Sequence, residues 1–208
     1  MTESLTTRGQ GGADMEPETV ASVYGLLARC FEQPDDATIH ALESGTLVEA
    51  IASSARDIDV ETEAPSPPEE PLESYLETFE GFDGPSAPPV ASVYKPWWDG
   101  TIRGVLSGPP AHDMERRYQA IDAEIPPEYQ PDHIALLLEY GSLLLEDGAK
   151  EAYRDFHRTH FDWIESFRER VEETCRVPFY VWAVRTLETV LHRTASEFDC
   201  VPATGGEP

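Results

Sequence analysis

Lysine is almost missing from this chain. There are two, Lys95 and Lys150, beside thirteen arginines, and basic residues together number 15 against 40 acidic ones, for a formal charge of −25. A field of that sign repels phosphate backbones and anionic headgroups, which disfavours nucleic acid and the membrane surface as partners. Cysteine is scarce as well. Cys30, Cys175 and Cys200 share no short paired spacing, so there is no zinc or redox motif of the CxxC type. An odd count without an export signal predicts reduced thiols in a cytoplasmic protein. No apolar run approaches the roughly 18 residues of a membrane span, and the N-terminus lacks a basic region followed by an apolar one. Strand-like alternation is absent throughout. So are a serine elbow, a phosphate-cradling glycine loop and a dinucleotide fingerprint.

What is present is an ordinary core under an unusual surface. Hydrophobic residues make up 40% of 208, enough for one domain with a sizeable interior. An acidic, lysine-poor exterior on such a core reads as adaptation to a saline, halophilic cytoplasm. The alternative is a surface built for a basic partner. At about 1 M salt the Debye length falls to about 3 Å, and only contact pairs and apolar burial then carry affinity.

Apolar periodicity predicts an all-α, single-domain helical bundle over residues 16–198, between disordered tails at 1–15 and 199–208. A first helix opens at Glu16-Pro17-Glu18, carries Val20, Val23, Tyr24, Leu27 and Phe31 at helical spacing, and stops at Pro34. Short helices follow at Asp35-Asp36 and over Thr46 to Arg56. The prolines and glutamates of 61–71 predict an exposed loop. Leu72 to Phe79 reads as a helix ended by Gly81, and three prolines in five residues forbid a regular helix in the segment from Gly84 to Tyr94. Trp97 to Leu106 and Pro110 to Ile121 are further candidates. Asp132 to Glu146 is the clearest helix, apolar over most of its circumference and therefore central. Lys150 to Thr174 follows, and Pro178 begins the last helix.

Catalytic arrangements find little support. His157 and His160 stand i, i+3 on one helix and could present two imidazoles to a metal in a small helical enzyme. No Glu-x-x-His or Cys-x-x-Cys accompanies them, and His160 falls in line with the aromatic stripe of Tyr153, Phe156 and Trp163. The residues describe a binding protein with no cofactor, metal or catalytic group of its own. A permanent scaffold subunit is the other non-catalytic reading.

Two segments carry a resemblance. The first is Tyr75-Leu76-Glu77-Thr78-Phe79, then Gly84-Pro85, Pro88-Pro89 and Ser92-Val93-Tyr94. The second is Pro131-Asp132-His133 leading into the apolar helix that contains Glu139. Their order and spacing resemble the TorD/DmsD family of redox-enzyme maturation chaperones, to which NarJ-type assembly chaperones are distantly related. Flanking features at Tyr24-Gly25-Leu26-Leu27-Ala28, His160-x-x-Trp163-x-x-x-Phe167 and Pro178-Phe179-Tyr180 agree with it. The resemblance implies an all-helical cytoplasmic chaperone. Its partners would be a molybdenum-containing oxidoreductase of the DMSO, TMAO or nitrate reductase type and that enzyme's twin-arginine leader, held during cofactor insertion and before Tat export. It also implies a leader-binding site at Tyr75, Phe79, Pro88, Ser92, Tyr94, Asp132, His133, Leu136 and Glu139, in a monomer or homodimer.

A leader presents two arginines beside an apolar stretch, so its receptor needs carboxylates beside an apolar groove. Asp132 and Glu139, seven residues apart, fall close to one helix stripe and offer that combination. Asp132 equally suits a helix N-cap, and Ser92 or Tyr94 could satisfy buried backbone groups.

Overall fold

The computed structural model describes residues 15–81 and 84–200. Ten α-helices run through them: α1 (Pro17–Ala28), α2 (Asp36–Glu43), α3 (Thr46–Arg56), α4 (Pro71–Tyr75), α5 (Ala91–Tyr94), α6 (Pro109–Ala120), α7 (Ile134–Glu146), α8 (Lys150–His160), α9 (Ile164–Thr174) and α10 (Pro178–Glu197). Among the described residues there is no strand; Val90 and His133 form an isolated antiparallel bridge. None of these helices is long and apolar enough to cross a membrane.

The apolar girth of α7 puts it at the centre, with Ile134 to Leu138, Tyr140, Gly141 and Leu145 buried. Its main neighbour is α1. The two approach closely because position 141 has no side chain: a Cβ there would sit 3.2 Å from the Tyr24 ring. That ring cannot easily retreat. Tyr24 is fully buried, and its hydroxyl is hydrogen-bonded to the Tyr153 hydroxyl at 2.6 Å and to Thr194 Oγ1 at 3.1 Å. A second knot of rings, Phe31, Phe79, Phe167 and Tyr180, ties the loop after α1 to the turn after α4, to α9 and to α10.

Four expectations are corrected. The stretch from Trp97 to Leu106 is not helical: Gly100 and Gly104 take φ of 78° and 62°, and Trp97 closes a turn by donating its N–H to the Thr101 carbonyl. The helix expected over Lys150 to Thr174 is two, because burying both Phe161 and Trp163 requires a bend after His160. The helix expected over Leu72 to Phe79 does end at Gly81, but it starts at Pro71 and its last turn, Leu76–Glu80, is π-helical, with Gly81 in the left-handed conformation donating back to the Leu76 carbonyl. The proline-rich segment does hold one helical turn, Ala91–Tyr94, once Pro89 is passed. At the ends of the described residues Met15 and Cys200 pack against the core, and Met15 donates its N–H to Glu197 Oε1. The remainder of the expected tails, residues 1–14 and 201–208, lies outside the described residues.

Candidate functional site

The proline-rich segment 84–94 is stitched to its neighbours along its length. Ala87 N–H donates to the Thr78 carbonyl at 2.8 Å, and Ile134 N–H to the Pro89 carbonyl at 2.8 Å. Asp132 supplies the firmest stitch. Its Oδ2 accepts both the N–H and the hydroxyl of Ser92, each at 2.6 Å. Asp132 is wholly buried and Ser92 nearly so, and Asp132 Oδ1 has no partner. Burial raises the Asp132 pKa, against the opposing pull of the Ser92 bonds. Asp132 is therefore a buried clamp on the loop and not a carboxylate displayed on the same stripe as Glu139. Nor does it cap α7. That role falls to His133, whose Nδ1 accepts the Ala135 N–H at 3.3 Å.

The clamped loop forms one wall of a cleft of about 360 Å³, lined by Tyr75, Phe79, Pro88, Val90, Leu106, Tyr129 and His133, with Glu80 and Glu128 also on its lining. Tyr75 and Phe79 stand one turn apart with ring centroids 5.2 Å apart, and both are buried. His133 is neutral, because burial lowers its pKa to about 3. With Nδ1 accepting from Ala135, the proton is on Nε2, and the ring lies 4.8 Å from that of Tyr129.

Two further hollows adjoin this cleft. One, of about 620 Å³, shares Gln33, Glu128 and Tyr129 with it and continues over Leu136 and Glu139 toward Glu32 and Asp35. The other, across Pro88 and Leu106, is bordered by Ser86, Tyr94 and Arg170. Tyr94 stacks on Trp163 with a centroid distance of 5.3 Å, and its hydroxyl is buried without a partner. Of the nine residues expected at a site, Tyr75, Phe79, Pro88 and His133 thus share one cleft. Leu136 and Glu139 lie in the adjoining groove, Tyr94 lies beyond Pro88, and Ser92 and Asp132 lie underneath. Sequence reasoning missed Leu106, Tyr129, Gln33 and Glu32. Pro126-Pro127, beside Tyr129, is the sequence signal that could have marked a second shaped loop.

The histidine pair on α8 does not converge. His157 Nε2 meets the Leu191 carbonyl at 3.2 Å, whereas His160 Nε2 meets Asp113 Oδ2 at 2.8 Å. Burial lowers both pKa values to about 4. Among the described residues no group of three His, Cys, Asp or Glu side chains could hold a metal ion.

A helical bundle with a clamped loop and a cleft agrees with what a family comparison finds. The model of the nitrate reductase delta subunit matches residues 30–174, well over half of the chain. The chain belongs to the nitrate reductase delta subunit family. Comparison with curated proteins finds no match. The family consists of chaperone-type maturation factors for molybdoenzymes, and membership makes this chain one that works with a nitrate reductase-type catalytic subunit. The matched stretch contains the whole lining of the cleft and the Asp132–Ser92 clamp, and it ends where α9 ends.

Proposed function

We propose that this delta-subunit-family protein binds the twin-arginine leader of its molybdoenzyme client in the cytoplasm, through the cleft between the Pro88-Pro89 loop and the start of α7. Binding would hold the client of DMSO, TMAO or nitrate reductase type during cofactor insertion and before Tat export. Tyr75, Phe79, Pro88 and His133 would meet the leader directly. Leu136 and Glu139 would extend the contact, Tyr94 would shape its far edge, and Ser92 and Asp132 would hold the loop in place. The observation that carries the reading is an apolar cleft, bordered by carboxylates, whose wall is fixed before any ligand arrives. A preformed wall lowers the ordering cost of binding.

Calorimetric titration of the full chain with leader peptides tests it. Leu106→Ser together with Tyr129→Ser alters two partly exposed lining residues, of which only Tyr129 packs against the core. Each removes apolar contact of the order of 1.5–3 kcal/mol when fully covered by ligand. The pair should weaken micromolar binding at least tenfold while helicity is retained. Failure of every plausible client's leader to bind the wild-type protein would sink the reading.

A further inference from the structure

The groove that continues from the cleft over α7 is charged in a way the fold does not resolve. Glu32, Asp35, Glu128 and Glu139 line it, and Arg29 is its one basic lining residue. The Arg29 guanidinium is turned to Thr38, donating from Nη2 to Oγ1 at 3.3 Å. Asp35 uses one oxygen to cap α2 through the Thr38 N–H. Among the described residues neither Glu32 nor Glu139 has a hydrogen bond or an ion pair. Burial raises the pKa of each; Glu139 and Asp35 raise that of Glu32 further, and the nearby Arg29 charge offsets part of the rise. Two carboxylates without partners of their own on one groove favour an added cation there.

A second observation points to a ligand in the adjoining cleft. His133 is 4% exposed, its Nδ1 is occupied by the Ala135 N–H, and its Nε2–H has no partner among the described residues where the ring lines the cleft. A nearly buried donor aimed into an apolar cleft fits a main-chain carbonyl of an extended peptide lying along it.

We infer that Glu32 and Glu139 hold the leader's arginine pair while the cleft floored by His133 takes the apolar stretch that follows, so that the leader lies with its arginine end toward the junction of α1 and α2. This rests on the leader-binding reading and assigns both the guanidinium site and the direction of the peptide. Arginine suits the position because its planar fork can engage a carboxylate through two parallel N–H bonds. Gln33, Glu128 and Tyr129 border both halves, so a single extended strand can pass from one to the other.

The test titrates the wild-type chain, Glu32→Gln/Glu139→Gln, and a control that removes the same charge from exposed positions elsewhere, Glu151→Gln/Glu165→Gln. The probes are a client leader peptide and its variant with both arginines replaced by glutamine. The expected result is that wild type and control prefer the arginine peptide about tenfold or more, and that the Glu32/Glu139 variant binds both peptides as the wild type binds the glutamine one. If the arginine peptide binds the Glu32/Glu139 variant as tightly as wild type, or if wild type binds both peptides equally, the carboxylate assignment is overturned and leader binding stands. If the control loses as much as the Glu32/Glu139 variant, overall charge is responsible and the assignment is again overturned. No binding of either peptide to wild type overturns both. Circular dichroism of each variant checks the fold.

Discussion

Asp132 shows how a residue can stand out in the sequence while its structural partner does not. Pro131-Asp132-His133 stands out in the sequence, but a local pattern does not reveal that Ser92, forty residues earlier, reaches the same carboxylate. The clamp predicts a graded mutational series. Asp132→Ala leaves the Ser92 N–H and hydroxyl unpaired in the interior and should cost about 2–4 kcal/mol of stability, read from urea unfolding. Asp132→Asn keeps an acceptor and removes a buried charge, so its loss should be clearly smaller; equal losses would refute the clamp. The buried imidazoles allow a second prediction. His157 and His160 have folded-state pKa values near 4, below the ordinary 6.5, chiefly through burial. Between those values the unfolded chain binds protons that the native state does not, so their contribution is lost as pH falls from about 6.5 toward 4. The raised carboxyls of Asp132, Glu32 and Glu139 act in the opposite sense, which makes a difference measurement the useful one. Between pH 7 and pH 5, His160→Gln should lose less stability than wild type, by up to about 2 kcal/mol.

At the scale of elements, helices were legible wherever a long apolar period ran uninterrupted, as in α1, α7 and α10. Their junctions were not. The segment from Trp97 to Leu106 carries Trp98, Ile102, Val105 and Leu106 at nearly helical intervals, but those side chains are exposed, and glycines at 100 and 104 turn the backbone the other way. Periodicity reports a buried face only when there is one. The bend between α8 and α9 likewise depends on where Phe161 and Trp163 find partners, which is tertiary information. The cleft was half legible for the same reason. Tyr75, Phe79, Pro88 and His133 sit in recognisable patterns, whereas Leu106 and Tyr129 come from irregular segments whose positions only the assembled bundle fixes. The α1–α7 crossing gives a prediction that runs against propensity. Replacing a helical glycine with alanine ordinarily stabilises by about 1 kcal/mol. At Gly141 the added methyl meets a Tyr24 ring anchored by two hydroxyl contacts, so Gly141→Ala should instead destabilise by about 1–3 kcal/mol. A urea midpoint at or above that of wild type would show that the ring can yield.

For the whole molecule the dominant fact is the charge of −25. Arginine ion pairs draw some of it into local networks, as where Arg168 meets both Glu172 and Glu188, or where Arg117 and Arg116 share Asp113. Those contacts are too few to balance the excess, and self-repulsion works against the compact state. Raising potassium chloride from about 0.1 to about 2 M shortens the Debye length several-fold. The thermal midpoint should therefore rise across that range; a midpoint that falls would indicate that ion pairs contribute more to stability than repulsion takes away. The sign of the charge was plain in the composition. Its arrangement, with Glu32 and Glu139 unpaired around one groove, was not, because these residues lie over a hundred positions apart and meet only when α1 packs on α7.

The three thiols are all buried, Cys30 at 3%, Cys175 at 8% and Cys200 at 2% exposure. Burial also raises the pKa of Cys30, and that of Cys200 to about 11. Since the thiolate is the reacting form and all three sulfurs are buried, the native protein should react slowly with maleimides. A single cysteine introduced in place of Leu106, at the exposed rim of the cleft, would then accept a fluorophore selectively with every natural cysteine left in place. Occupancy of the cleft could be followed optically, in real time, on an otherwise unaltered chain.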